Sequence, residues 1–522
     1  MNNFRRTAIA SIINLTLLGA GNVYADDSSV LEKRIRELEK RLQQLDKASA
    51  LPSAALIATT PVVAPEVEKL TRKVNTLERK LEIQDEITTG NFKKLPTFDA
   101  GPDGFKITSN DKQHALRIGG SIQTDGRLFL SNETTPSVGG KSVTNPAGPD
   151  AILIRQGRIL LDGYAYKDIN FRVLADFANS NLLPDAYVDY TYRSYASLLA
   201  GKFRPSVSLE RLQGDGDTVF LERALPSNLA PNRDVGIQLH GGFALPGYQG
   251  DKVAGAIDTK NTFTYQIGVT DGTGDGGNIT TGNTGLSGNK EFDARVFAQP
   301  FQHIGNKWLE GFGVGIAGSF GSPNRQTLNA QKTALGQSTF LDYGKVGTGV
   351  GTVTSNGATS RIYPQAFWYA GPVGLLGEYV ESSQHLAASG LSLGNKNNNV
   401  DQTNKAYQIQ ASYVVTGEDN AFTGVKPLRN FDPSKGAWGA LQLAARWSEL
   451  TVDSDTFKLI DASQSASKAS AWTIGANWFL NKNTIVRTDF ENVSFTGGAG
   501  TTNAIANRPS EKVFSTRFQL AF

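Results

Sequence analysis

Between Ala200 and Arg223 the chain sets four cations, Lys202, Arg204, Arg211 and Arg223, among four carboxylates, Glu210, Asp215, Asp217 and Glu222. Two chemistries fit such a mixture. Converging cations concentrate an anion, because one charge pair about 8 Å apart at an effective dielectric near 40 is worth roughly 1 kcal/mol. Alternatively, each cation is neutralised by a carboxylate neighbour, with Asp185 and Arg158 joining the pairing. Lys202 and Arg204 share one parity, so both are expected on the same face of a strand that Pro205 ends. Arg211 follows seven residues on, in the loop beyond Pro205.

No catalytic constellation competes with these residues. His114, His240, His303 and His385 lack metal-ligand spacing, and neither Gly-x-Ser-x-Gly nor a phosphate-cradling glycine loop with Lys occurs. No enzyme activity, cofactor, metal or nucleic-acid partner is expected. The chain has no cysteine, so no disulfide holds it together, and its net charge of +3 is too small to identify a partner.

The elements around the cations are strands. From about Ala115 the chain breaks into alternating segments, the first near 115–130 and the last near 512–522, separated by Gly/Asn/Asp/Ser/Thr-rich loops. In 169–178, Ile169, Phe171, Val173, Ala175 and Phe177 oppose Asn170, Arg172 and Asp176. In 470–481, Trp472, Ile474, Trp478 and Leu480 oppose Thr473 and Asn477. Such period-two faces, about sixteen of them, predict an antiparallel transmembrane β-barrel of a size that encloses water. The tenth strand is expected at 360–370, with 338–345 as a rival, and outer loops at 271–290 and 382–404. Trp438, Trp447, Trp472, Trp478 and Tyr413 suit outward faces and interfacial girdles. The last strand ends on Phe522, in the phase of Phe514, Phe518 and Leu520. A mean hydropathy of −0.29 agrees with strands that each keep a wet face.

Residues 1–25 read as a secretory signal peptide: Arg5 and Arg6, an apolar run from Ala8 to Leu18, and cleavage after Ala25. Residues 26–95 carry two heptad seams, Leu31/Ile35/Leu38/Leu42/Leu45 and Val67/Leu70/Val74/Leu77/Leu81. Pro52, Pro61 and Pro65 separate them. They predict an α-helical periplasmic arm, either coiled or solvated, ahead of a barrel domain at 96–522.

The stretch Ala200–Arg223, with Val235-Gly-Ile-Gln238 beyond it, resembles the constriction region of the phosphate-selective porin O and P family. Arg155-Gln-Gly-Arg158 upstream and Val415-Thr-Gly-Glu418, Gly436-Ala-Trp438 and Thr473-Ile-Gly-Ala-Asn-Trp-Phe479 downstream extend the resemblance. It implies a trimer of sixteen-stranded barrels in the outer membrane of a Gram-negative bacterium, each with a loop folded into its lumen. Membrane lipid and lipopolysaccharide would surround it, with peptidoglycan within reach of the arm. By the resemblance, Arg211 stands where phosphate-specific members place a central lysine, Arg223 belongs to the cationic lining, and Arg155 matches an upstream arginine. Arg158 and Arg204 stand at positions of constriction tyrosines, and Gln156 replaces an arginine. An anion-binding constriction of Arg155, Arg158, Lys202, Arg204, Arg211 and Arg223 is therefore expected, passing phosphate or pyrophosphate. Where those members carry an arginine-rich loop, Ser322–Tyr343 holds only Arg325 and Lys332, so the expected phosphate block is modest. A general porin, or a tethering protein that uses the arm, remains the alternative.

Overall fold

A computed structural model describes residues 36, 37, 40, 44, 63–92, 95–130, 150–244, 262–279, 290–323, 326–344, 352–389, 399–501 and 504–522. The chain divides after Pro96 into two units. In the first, α1 spans Val63–Phe92. Val74 is buried and Leu70, Leu77 and Leu81 are half-buried, while the residues between them are mostly exposed, so the second heptad seam lies along one helix face. An exposed Glu68–Arg72 pair one turn apart adds a little local support. The first seam and the signal-peptide segment lie outside the described residues. No described helix is long and apolar enough to cross a membrane, which says nothing of strands.

The second unit is a closed barrel. Its strands are β1 Ala115–Phe129, β2 Ala151–Ala165, β3 Ile169–Asp176, β4 Asp185–Arg193, β5 Ala196–Phe203, β6 Asp234–Phe243, β7 Phe263–Thr270 and β8 Glu291–Ala298. They continue as β9 Phe312–Gly321, β10 Thr352–Ala370, β11 Val373–Ser389, β12 Asn399–Val414, β13 Ala440–Thr451, β14 Ala466–Phe479, β15 Thr484–Thr501 and β16 Glu511–Ala521. Each of the sixteen pairs antiparallel with its neighbours, and β16 closes on β1 with Gln519 opposite Gln123. Closure leaves no open edge, which is what a lipid environment requires. A hairpin of Thr97–Gly101 and Gly104–Thr108, not foreseen from the sequence, adds to the start of β1.

Alternation explains the wall. On β14, Trp472 and Ile474 are exposed while Thr473 and Asn477 are fully buried, and on β3 Ile169 and Val173 are exposed while Asp176 is buried. The apolar phase faces outward and the polar phase inward, the reverse of a soluble core. Short turns close one end, as at 166–168, where Tyr166 and Lys167 both have positive φ and so match the twist of the flanking strands. Trp438 and Trp478 cluster with Phe431 at that end, and Trp308 with Trp368. The seam with β16 needs Gly119 and Gly120. A Cβ on Gly120 would lie 2.6 Å from the Arg158 carbonyl oxygen and 3.1 Å from the Phe522 ring, and one on Gly119 would lie 2.6 Å from the Phe522 carbonyl oxygen.

Two boundaries differ from expectation. Strand β10 begins at Thr352, and β11 and β12 run to Ser389 and from Asn399, so most of the supposed outer loop at 382–404 is paired strand. Residues 339–341 do not join the wall but pair with 331–332 in a small separate hairpin.

The long loops do not leave the lumen empty. The β5–β6 loop (204–233) and the β9–β10 loop (322–351) bring Val207, Leu225, Leu229, Phe340, Leu341 and Tyr343 into one apolar cluster. It packs on inward residues of β9 to β15, among them Tyr363, Val380, Leu450, Ala469 and Val493. The loops therefore lie against one side of the barrel and leave the β2–β3 side open.

Candidate functional site

The chain leaves β5 at Phe203 and Pro205 stops the strand. Ser208 caps the single turn α2, Leu209–Leu212, accepting from the Arg211 backbone N–H at 3.3 Å. Wall side chains then take up the loop's backbone groups. Glu378 of β11 accepts from the Leu209 N–H at 2.8 Å and the Ser208 hydroxyl at 3.0 Å. Asp489 of β15 accepts from the Leu221 N–H at 2.7 Å, and Asn477 of β14 donates to the Val219 carbonyl at 2.7 Å. Buried polar backbone would otherwise cost a few kcal/mol per group, so these spokes fix the loop across the lumen.

Three arginines converge on one carboxylate of that loop. Asp215 accepts from Arg223 at 2.5 Å, Arg204 at 3.0 Å and also Arg158. Arg158 further donates to Asp176 at 2.8 Å. Burial raises the Asp215 pKa, but Arg223, Arg204 and Arg158 together hold it well below the usual carboxylate range. Glu222 receives both donors of the Arg155 fork at 2.6 and 2.9 Å, and Arg517 at 3.0 Å. Burial opposes ionisation there too, yet Arg155 and Arg517 bring Glu222 down to about 2.

Arg211 differs. Its guanidinium donates to the Ser227 carbonyl, its Nε has no hydrogen-bond partner, and no carboxylate lies within ion-pair distance among the described residues. Burial, with Arg223 and Arg233 nearby, pushes its pKa down to about 9, so it remains charged at neutrality.

A bulge brings Arg155 and Arg158 together. They are three apart and would face opposite sides of a regular strand. Opposite β1, Gln123 pairs with Gln156 and Thr124 with Ile154, leaving Arg155 as the extra residue. The outward phase accordingly changes from Ile152 and Ile154 to Ile159 and Leu161. Both arginines thus reach the lumen.

A cavity of about 620 Å3 lies over this cluster. Of the six cations singled out in the sequence, Arg155, Arg158, Arg204, Arg211 and Arg223 line it and Lys202 does not. Lys202 shares the parity of Leu198 and Ala200 yet is itself buried, its Nζ donating at 2.8 Å to Asn181, which does line the cavity. Arg204 stands beyond the strand, which ends at Phe203, and lines the cavity directly. Arg233 and Lys332 complete the cations, giving seven against the carboxylates of Asp176, Asp215 and Glu222. Arg233, in the same stretch as the others, could have been singled out; it pairs with Asp185 at 2.5 Å. Of the sparse β9–β10 loop, Lys332 reaches the cavity, and Arg325 lies outside the described residues.

Pairing is therefore shared rather than one to one. Glu210 faces Arg446 of β13 at 3.5 Å instead of a lining arginine. Asp217 makes no ion pair among the described residues, and burial raises its pKa to about 6. Two further cavities adjoin in turn through shared lining residues. One of about 300 Å3 shares Arg158, Arg204, Asp215 and Arg233 with the first and adds Arg172 and Asp217. The next, about 350 Å3, shares Arg172 and Tyr187 with the second and adds Arg117 and Lys106 beside the short-turn end.

The family model for phosphate-selective porin O and P matches residues 137–285 and 327–522. No curated protein matches the chain. Among solved structures, the chain is similar to the outer membrane channel DcaP of Acinetobacter baumannii, at 11% identity and a TM-score of 0.46, covering 78% of this chain and 97% of that one. It is also similar to OmpT of Vibrio cholerae (9%, 0.44, covering 78% and 98%). An anion-selective porin from Comamonas acidovorans matches at 12% and 0.39, covering 78% and 100%.

Proposed function

The chain belongs to the phosphate-selective porin O and P family, and from that premise we propose that it passes small anions across the outer membrane by passive diffusion. The observation that carries this reading is the lining of seven cations against three carboxylates. One buried carboxylate shared by three arginines cannot neutralise them, so the constriction keeps a positive field that attracts anions and repels cations. The paired arginines are held in fixed forks, while Arg211 offers its charge without a carboxylate partner. Such partial pairing suits conduction, which demands binding weak enough for release. Phosphate and pyrophosphate match guanidinium forks, but with Lys332 the one cation that the described β9–β10 loop adds to the cavity, block by phosphate is modest.

The assay is reversal potential in a potassium chloride gradient across a planar bilayer, with phosphate added as competitor. Chloride permeability above potassium and partial block by phosphate support the reading. A cation-selective channel overturns it and leaves a general porin. We further propose that residues 1–25 are cleaved as a signal peptide, that α1 belongs to a periplasmic arm, and that the barrel assembles as a trimer. An arm that binds peptidoglycan would cosediment with it.

A further inference from the structure

The cavity has two chemically distinct parts. Its cationic floor comes from β2 and the β5–β6 loop. Six asparagines, Asn179, Asn181, Asn228, Asn232, Asn278 and Asn329, supply much of the remainder. They come from four different loops, those after β3, β5, β7 and β9, all at the long-loop end. Three of them are joined: Asn232 donates to Asn278 at 2.8 Å, Asn181 to the same oxygen at 3.4 Å, and Arg233 holds the Asn232 amide oxygen at 3.0 Å. Among the described residues these contacts leave the Asn278 amide N–H groups and the Asn329 and Asn179 amide oxygens for a ligand, since Asn329 and Asn179 use their nitrogens there towards backbone or carboxylate. No aromatic side chain lines the cavity among the described residues.

An inorganic phosphate uses only the floor. The cavity, at about 620 Å3, falls in the roughly 300–1,000 Å3 range of sites for organic ligands. Amides that both donate and accept complement hydroxyl groups, whereas guanidinium forks complement phosphate oxygens. We propose that the preferred solute of this site is a phosphate monoester of a polyol, its phosphate on the Arg155–Arg211–Arg223 floor and its hydroxyls on the asparagine rim. This rests on the anion reading above and names the class of anion.

Chloride current through the full-length purified protein in a planar bilayer is titrated with glucose 6-phosphate, inorganic phosphate, gluconate and glucose. The sugar phosphate should half-block at a concentration about tenfold below that of inorganic phosphate, the gain of one or two good hydrogen bonds. Gluconate, with one charge, should block less, and glucose not at all. The paired substitutions Asn278→Ala and Asn329→Ala should weaken block by the sugar phosphate about tenfold relative to block by inorganic phosphate in the same variant, so that the two become equal. Equal block by ester and inorganic phosphate overturns the proposal, as does an equal loss of both in the variant. Potassium selectivity of the wild type instead overturns the anion reading itself, so the two failures are told apart.

Discussion

Arg211→Gln removes the lining arginine that has no carboxylate partner, while keeping an amide that can still donate to the Ser227 carbonyl. A sphere of the cavity's volume has a radius of about 5 Å, so an anion at its centre lies ~6 Å from the guanidinium, worth ~1.4 kcal/mol at a dielectric near 40. In about 0.1 M salt the Debye length of about 10 Å reduces this to ~0.8 kcal/mol. That is about a fourfold change in anion partition. Arg211→Glu removes two units of charge and should give about sixteenfold by the same reckoning. The assay is the reversal potential in a potassium chloride gradient, with both variants checked for intact barrels by their resistance to unfolding in detergent on heating. The chloride-to-potassium ratio should fall in two steps of equal logarithm from wild type to Gln to Glu. An unchanged ratio in Arg211→Gln, with Glu merely lowering conductance, would falsify the view that unpaired charge governs selectivity.

Acid should strengthen anion preference through Asp217, which burial raises to about 6 and which lines the second cavity with Arg158, Arg172, Arg204 and Arg233. The folded loop binds this proton more tightly than an unfolded chain would, so the group's contribution to stability falls as pH rises between about 4 and 6. Reversal potentials measured from pH 7 to 5 should show a step towards chloride that Asp217→Asn lacks; an identical step in the variant removes Asp217 as its source. Gly120→Val should impair assembly, because its side chain meets the Arg158 carbonyl and the Phe522 ring where β1 and β16 close; deleting Phe522 should do the same, read as loss of heat-resistant barrel and more periplasmic aggregate. A chain starting at Leu95 should refold in detergent and conduct, and loss of the channel would tie the arm to barrel folding.

The wall was legible because lipid outside and water inside leave a period-two imprint on each strand. Even the bulge at Arg155 left a trace, since the outward apolar phase passes from Ile152 and Ile154 to Ile159 and Leu161. What parity could not supply was the placement of side chains beyond strand ends. Lys202 and Arg204 match in parity, but the strand stops at Phe203, and only Arg204 is carried by the loop into the cavity. The spokes that fix the loop, such as Glu378 to Leu209 some 169 residues away, leave no local pattern at all. The asparagine rim was hidden for the same reason, its members being scattered through four loops.

The apolar cluster between the inner loops and strands β9 to β15 gives the two halves of the wall different chemistry. On β10 to β14 the inner face is covered by packed loop, with buried apolar residues beside hydrogen-bonded polar ones such as Glu378 and Asn477, so these strands behave as the middle layer of a sandwich. Strands β2 and β3 border the cavity instead, through Arg155, Gln156, Arg158 and Asp176. The same substitution therefore means different things around the circumference. An inward Val380→Asp leaves an uncompensated charge in a tightly packed interior and loosens both inner loops. An inward change at Gln156, buried but at the cavity lining beside Arg155, acts first on the local field. The half of the wall that can be retuned without unseating the inner loops is the half that borders the arginine-lined cavity.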